Sequence, residues 1–277
     1  MILALVSVVA FVSAATAHAS LPAAGQQASP QNHAKIKLIA ERDSLSAGRT
    51  LWVGVLFSLD SGWHIYWENP GDSGEPPKIR WELPQGFQAG ATRWPRPARL
   101  GSGSVIDYGY EGQVLLMAPL RIPAALMAGA PATIGADVKY LVCREICIPG
   151  KSQLTLVIPA AKGPSSHFSQ WRELFERTRA QLPKTAPRGR GVSAQSQAGN
   201  FILKVRGAAA PHDVAFFPLD ADVIQNSAPQ MLASTGAGFQ LTLRKSDQLM
   251  KPVAALRGVL VLDGTKAYEI SAPIAPR

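Results

Sequence analysis

The two cysteines are the residues of this chain whose type and spacing most directly suggest chemistry. The chain contains only Cys143 and Cys147, with the three residues 144–146 between them. On one continuous strand their Cα atoms would lie about 13 Å apart, which is too far for a disulfide. A hairpin with its loop at 144–146 would place them opposite each other, at about 4.5–5.5 Å. Since the residues before Cys143 read as strand, the spacing predicts a disulfide across a tight hairpin.

Three uses of such a pair stay open on the residues alone. Redox exchange is favoured, because closing a loop of about five residues stabilises a fold by only roughly 2 kcal/mol. A tight loop also strains the bond, and strained disulfides are easier to reduce. A purely structural bridge is the second use. The third is a thiolate site for Cu(I) or another soft metal, whereas two thiolates are too few ligands for zinc.

The elements around the cysteines read as strands of an all-β fold. Apolar and partly alternating runs, separated by turn residues, are typical of an antiparallel β-sandwich over about 34–160. These runs lie at 34–42, 51–60, 78–83, 114–122, 132–143 and 152–160. The segment Glu68 to Pro77 is polar and rich in Gly and Pro, which predicts a loop.

The pattern changes once after residue 160. Ser165 or Ser166 could cap a helix that runs to Leu182 and is stopped by Pro183, and a polar linker would follow to residue 199. Strand-like runs then resume, and 200–277 is predicted to form a second small β-sandwich. Because it holds no thiol, a packing, spacer or docking role is its default interpretation.

The chain begins like an exported protein. Residues 1–19 read as a signal peptide cleaved between Ala19 and Ser20, and 20–33 reads as a flexible mature N-terminus. No later apolar run reaches about 18 residues, so the mature chain is predicted to have no membrane span. The net charge of +9 is scattered along the chain rather than set among aromatic residues on one element, which argues against nucleic acid as a partner.

Three sequence blocks resemble the N-terminal periplasmic domains of the DsbD/ScsB disulfide reductases, in the ScsB-like variety. They are Gly62 to Gly74 (GWHIYWENPGDSG), Tyr108 to Gly112 (YGYEG) and Val138 to Gly150 (VKYLVCREICIPG), in the family's order and spacing. The resemblance implies an immunoglobulin-like first domain. The expected fold is therefore all-β, with two immunoglobulin-like antiparallel β-sandwich domains joined by a short helix and linker.

The resemblance also implies roles for residues and partners. In that family a membrane-embedded donor passes electrons to the cysteine pair, which hands them to periplasmic thioredoxin-like clients. Cys147 would be the attacked sulfur and Cys143 the resolving partner. A cap loop is expected at 106–112, with Asp107, Tyr108 and Tyr110 as covers. No cofactor and no metal are expected, and the donor would act in trans.

Two other functions are rivals to the relay. The first is a periplasmic copper-tolerance protein that holds Cu(I) on the two thiolates. The second is a carbohydrate- or envelope-binding sandwich with a structural disulfide, for which a tryptophan-rich face would be needed, although tryptophans are more often core residues. Among the remaining polar residues, His64 is predicted to make a structural hydrogen bond, while Asp72 and Glu75 read as solvated loop acids.

Overall fold

The computed structural model describes residues 33–101, 103–126, 131–161, 167–186 and 191–275. Nearly all regular structure in these residues is strand, so the predicted all-β class is confirmed. None of the described helical segments is long and apolar enough to cross a membrane. The predicted signal peptide, the segment 20–32 and the proposed caps Ser165 and Ser166 lie outside the described residues.

Residues 33–160, here called the first region, form two antiparallel sheets. Their strands are β1 (Ala34–Ala40), β2 (Thr50–Leu59), β3 (His64–Gly71), β4 (Lys78–Glu82), β5 (Gln88–Ala89), β6 (Ala98–Leu100), β7 (Asp107–Glu111), β8 (Gln113–Arg121), β9 (Pro131–Cys143) and β10 (Cys147–Pro159). One sheet has the order β1-β2-β8-β5. The other has the order β10-β9-β3-β7-β6, with β4 also paired to β9. Strand β3 extends into the predicted loop, because Gly71 pairs with Asp107 beyond an irregularity in the ladder.

The core of the first region lies between these sheets and follows the alternation of the strands. In β9 the inward residues Val138, Tyr140 and Val142 are almost fully buried and belong to the main apolar cluster. Because successive side chains point to opposite faces, Cys143 faces away from that cluster. Each large apolar side chain buried in this way contributes roughly 1.5–3 kcal/mol. The core therefore fixes the face on which the cysteines emerge.

One helix packs on the outer side of the four-stranded sheet. Helix α1 (Arg172–Gln181) buries Phe175 against outward-facing apolar residues of β2 and β8. The helix begins later than the sequence predicts, with Trp171 at its N-cap. Its last turn ends at Leu182, which adopts an extended conformation. A residue before proline disfavours the helical region, so Pro183 ends the helix as predicted.

Residues 191–275, here called the second region, contribute most of an eight-stranded sheet. Its strands are β11 (Lys184–Thr185), β12 (Val192–Gln197), β13 (Asn200–Arg206), β14 (Val214–Pro218), β15 (Met231–Thr235), β16 (Gly238–Arg244), β17 (Ala255–Leu262) and β18 (Lys266–Ala275). The order is β14-β17-β18-β12-β13-β16-β15, with β11 beside β18. The pairings of β18 with β11 and β12 are parallel, unlike the others in this sheet. Strand β12 lies in the predicted linker, where pairing with β13 and β18 orders polar residues that alone indicate a loop.

The two regions pack against each other within one compact unit. Phe217 of β14 is 3% exposed and belongs to the main apolar cluster of the first region. Its ring meets those of Trp67 and Tyr108 edge-on, with centroid distances of 6.3 and 5.1 Å. The second region has a further apolar cluster of its own, which includes Phe201 and Leu241. Aromatic packing therefore joins the two regions, and the division into two domains stays a prediction.

Candidate redox site

The disulfide closes the hairpin between β9 and β10. Cys143 is the last residue of β9, Cys147 is the first of β10, and the two are direct antiparallel partners. Their Cα atoms lie 4.2 Å apart and their sulfurs are bonded. The loop between them is held by a hydrogen bond of 3.1 Å from the Arg144 amide to the Ile146 carbonyl. The predicted hairpin disulfide is therefore confirmed.

The two cysteines differ sharply in exposure. Cys143 is 2% exposed, whereas Cys147 is an exposed residue at the start of β10. Its loop neighbour Ile146 is an exposed apolar side chain, 66% accessible. Thiol–disulfide exchange requires a thiolate to reach one sulfur of the bond. The arrangement therefore favours attack at Cys147 and leaves Cys143 as the sulfur that departs.

Tyr66 is the side chain that hydrogen bonds to the accessible cysteine. Its hydroxyl oxygen lies 3.5 Å from the Cys147 sulfur, although the residue is fully buried. His64, two residues earlier in β3, pairs directly with Cys143, so both side chains share the face of the disulfide. Burial raises the pKa of the Tyr66 phenol; a hydrogen bond with Ser73 opposes this and the nearby Asp107 charge adds to it. The phenol therefore stays protonated at neutral pH and can donate to a sulfur anion.

Asp107 is a predicted cover, and the structure places it on the disulfide's face of the sheet. Its Oδ1 atom accepts hydrogen bonds from the Ser73 amide and hydroxyl at 3.0 and 2.9 Å. Its Oδ2 atom lies 3.7 Å from His64 Nε2, which is beyond hydrogen-bond distance. That buried Nε2 has no hydrogen-bond partner among the described residues, so the hydrogen bond predicted for His64 is not made through this nitrogen. The imidazole instead packs edge-on against Tyr66.

Tyr108 and Tyr110, the other two predicted covers, lie on the opposite face of the sheet. Residues 107–111 form strand β7 rather than a loop, and both tyrosines belong to the core cluster. Their hydroxyls donate to Asn226 and to the Pro95 carbonyl, at 2.7 Å each. Burial raises the pKa of both phenols. In this structure the contact with the Cys147 sulfur is made by Tyr66 instead.

The loop after β3 covers the Tyr66 ring. Gly74 adopts a left-handed conformation with φ of +74°, and a Cβ atom there would lie 2.0 Å from the ring of Tyr66. Only glycine allows this approach without a displacement. Asp72, predicted to be a solvated loop acid, accepts hydrogen bonds from the Ile106 amide and from Asn226 at 2.7 and 2.8 Å. The loop is therefore an ordered part of the site.

The hairpin loop carries one positive and one negative side chain, so its charges do not simply favour a cysteine thiolate. The Arg144 guanidinium lies 5.5 Å from the centroid of the Trp63 ring, and its Nε atom is 4.0 Å from the Glu145 carboxylate. The positive charge is thus partly balanced by the adjacent acid.

Among the described residues, no group of three or more His, Cys, Asp or Glu side chains could hold a metal ion.

Sequence reasoning missed Tyr66, Ser73 and Asn226. The first two lie in the GWHIYWENPGDSG block, and the alternation of β3 was the available signal, because Tyr66 follows His64 on one face. Finding them required the register that sets His64 opposite Cys143. Asn226 had no local signal, since it lies 154 residues from its partner Asp72.

Comparisons with known proteins agree with this architecture. Residues 35–159 match the family model described as the N-terminal part of the thiol:disulfide interchange protein DsbD. The crystal structure of the N-terminal periplasmic domain of ScsB from Proteus mirabilis is similar, with a TM-score of 0.65 and 18% identity, over 90% of this chain and 97% of that one. A protein of unknown function from Porphyromonas gingivalis W83 aligns over 87% of this chain and 100% of its own, at 9% identity, but a TM-score of 0.27 is too low to indicate a shared fold. The comparison with curated proteins finds no match.

Proposed function

We propose that this chain, whose residues 35–159 form a DsbD/ScsB-like N-terminal domain of the thiol:disulfide interchange type, is a periplasmic electron relay. Its Cys143/Cys147 pair would take electrons from a membrane-embedded donor in trans and pass them to a thioredoxin-like client. The observation that carries the proposal is the asymmetry of the disulfide, with Cys147 exposed and Cys143 buried.

The first half of the cycle reduces the disulfide. A donor thiolate attacks the Cys147 sulfur, the bond between the cysteines breaks, and Cys143 departs as a thiolate that takes up a proton. The second donor thiol, after losing its proton, then attacks the donor sulfur of the mixed disulfide. Cys147 is released as a thiolate, and the donor is left oxidised to a disulfide. Two electrons have then moved onto the cysteine pair.

The second half of the cycle reduces the client. The Cys147 thiolate attacks one sulfur of the client disulfide and expels the other as a thiolate. Cys143, after deprotonation, attacks Cys147, which re-forms the hairpin disulfide and releases the reduced client. The Tyr66 hydroxyl, 3.5 Å from the Cys147 sulfur, is placed to donate to the thiolate and so to lower its pKa.

The position of the disulfide also supports cycling rather than a structural role. The pair spans only five residues at the end of a hairpin whose strands pair over their whole length. Closing so short a loop removes little entropy from the unfolded chain, which stabilises the fold by only roughly 2 kcal/mol. Neither cysteine belongs to the main apolar cluster of the first region, although Cys143 is buried. Reduction should therefore leave the fold intact.

Covalent trapping tests the proposal. A Cys143→Ala variant of the full chain, expressed in the periplasm, should accumulate mixed disulfides through Cys147, because no resolving thiol remains. The proposal expects a thioredoxin-like protein or a membrane reductase in these adducts, released by dithiothreitol. The matched Cys147→Ala variant should capture far less, since its remaining thiol is buried. Equal capture by both variants, or no such adduct, would contradict the relay.

Copper titration separates the relay from the Cu(I)-binding alternative. The reduced protein is titrated with Cu(I) in the presence of a competing chelator, because thiolates suit this soft ion. The relay expects no tight stoichiometric complex. Tight binding of one ion that is lost in the Cys143→Ala variant would support the copper-tolerance function instead.

A further inference from the structure

Asn226 of the second region directs its polar groups toward the first region. It lies in the segment between β14 and β15 and is 7% exposed. Its side-chain nitrogen donates to Asp72 at 2.8 Å, and its side-chain oxygen accepts from the Tyr108 hydroxyl at 2.7 Å. Its backbone carbonyl accepts a hydrogen bond from Arg99. One buried asparagine thus bonds to three residues of the other region.

Asp72 connects this asparagine to the loop beside the disulfide. The residue is exposed, but both carboxylate oxygens are engaged, one by Asn226 and the other by the Ile106 amide. The next residue, Ser73, donates to Asp107 through its amide and its hydroxyl. The loop is therefore fixed at its first two residues, by the second region and by β7.

The fixed loop packs against Tyr66, and Tyr66 in turn contacts the Cys147 sulfur. Gly74 follows Ser73 and lies against the Tyr66 ring so closely that a Cβ atom would meet the ring at 2.0 Å. The Tyr66 hydroxyl lies 3.5 Å from the Cys147 sulfur. A continuous set of contacts therefore runs from Asn226 through Asp72 and the loop to Tyr66 and Cys147.

We infer that the second region controls access to Cys147, with Asn226 as the positioning residue that holds the 72–74 loop against Tyr66. This inference rests on the proposed exchange function of the disulfide and gives the second region a part in it. With the Asn226–Asp72 bond present, the loop keeps the Tyr66 ring packed beside the sulfur. Cys147 is exposed, but the Tyr66 hydroxyl lies 3.5 Å from one side of its sulfur; when the bond is broken, the loop and Tyr66 move away more often, and an external thiolate reaches the sulfur from that side as well.

Reduction by a small thiol tests the inference without any protein partner. The pseudo-first-order rate of disulfide reduction by dithiothreitol is measured for the full chain under native conditions. Asn226→Ala should react roughly three- to tenfold faster. Loss of one net hydrogen bond shifts the local opening equilibrium of the loop by about this factor, and the reduction rate follows that equilibrium. Asn226→Asp, which keeps the size but sets a carboxylate against Asp72, should react faster than wild type as well.

A matched control distinguishes positioning from general destabilisation. Gln230 is another side-chain amide of the second region and is half-buried, but among the described residues its side chain bonds only to the backbone of Phe216. Gln230→Ala should reduce at the wild-type rate, even where its thermal midpoint falls as far as that of Asn226→Ala. If the two variants react equally fast at matched midpoints, the inference is overturned.

A double-mutant cycle locates the pathway. Asp72→Ala removes the first-region end of the same bond, so its reduction should accelerate, and adding Asn226→Ala should change the rate no further. Fully additive effects would show that Asn226 acts elsewhere and would contradict the inference. Because dithiothreitol replaces donor and client, an unchanged rate in every variant refutes the loop coupling alone. Failure of Cys143→Ala to trap partners refutes the relay alone.

Discussion

The two regions of the molecule are both built from paired strands, yet they use their outward faces differently. In the first region the outward face of one sheet carries the disulfide, His64, Tyr66 and Asp107 side by side. The second region contains neither cysteine, and its buried polar residue Asn226 bonds across to the first. The disulfide therefore belongs to one region, while the loop beside it is held by both.

The largest effect that sharpens this comparison is expected at the exposed sulfur. Cys147→Ser should abolish thiol–disulfide exchange entirely, because the attacked atom is gone. The free energy of unfolding should fall by no more than about 2 kcal/mol, the amount that closing so short a loop contributes. Exchange activity with a thioredoxin-like protein and urea unfolding measure the two quantities. A variant that fails to fold would indicate a structural bridge.

The next largest effect is expected from a substitution in the aromatic contact between the two regions. Phe217→Ala should cost about 3–5 kcal/mol in the free energy of unfolding, because a buried ring that packs on Trp67 and Tyr108 is lost. Phe201→Ala, in the separate core of the second region, should cost a similar amount. Only Phe217→Ala should also change the rate of disulfide reduction. Equal rates for the two variants would break the comparison.

A smaller effect is expected from the tyrosine hydroxyl. Tyr66→Phe should raise the pKa of the reduced Cys147 thiol by roughly half a unit to one unit, since one hydrogen bond to the thiolate is lost. The pH dependence of the alkylation rate of Cys147 measures this pKa. Tyr268→Phe, in β18 of the second region, serves as the control and should leave the profile unchanged. An unaltered pKa in Tyr66→Phe would rule out the donation.

The smallest effect concerns Glu68, an exposed residue whose pKa is raised from its ordinary value near 4.5 by partial desolvation of the carboxylate and by the charge of Glu269 in the second region. A raised pKa means that the stability gained from the protonated form is present at low pH and lost as the pH rises through the folded pKa. Glu68→Gln should match wild type near pH 4 and melt about 1–2 °C higher at pH 7. Thermal midpoints from pH 4 to 8 test this, and a lower midpoint at pH 7 would contradict it.

Much of the fold followed from local patterns in the sequence. Alternating apolar runs located most long strands, and the spacing of Cys143 and Cys147 predicted their hairpin, because both are local properties. Strand β12 and the end of β3 were missed. Their polar, glycine- and proline-bearing segments read as loops. Strand β12 is ordered by pairing with the next strand, β13, and with the distant β18, and the end of β3 is ordered by pairing with β7.

The candidate site was harder to predict, because it depends on register between distant strands. Tyr108 and Tyr110 were expected to cover the disulfide, but order along the chain does not reveal which face of β7 they occupy. Moving by one residue changes the face, which is why Asp107 lies near the site and Tyr108 does not. The hydrogen bond from Asn226 to Asp72 joins the two regions, and neither sequence segment contains a local pattern that would predict it.

The measurement that tests the central claim most directly is mapping of the mixed disulfide formed with glutathione. The oxidised wild-type chain is treated with glutathione under native conditions, quenched in acid, digested and examined by mass spectrometry. The account predicts glutathione on Cys147 with Cys143 carrying a free thiol, because Cys147 is exposed and Cys143 is 2% exposed. Glutathione attached mainly to Cys143, or a disulfide that reacts only after unfolding, would contradict it.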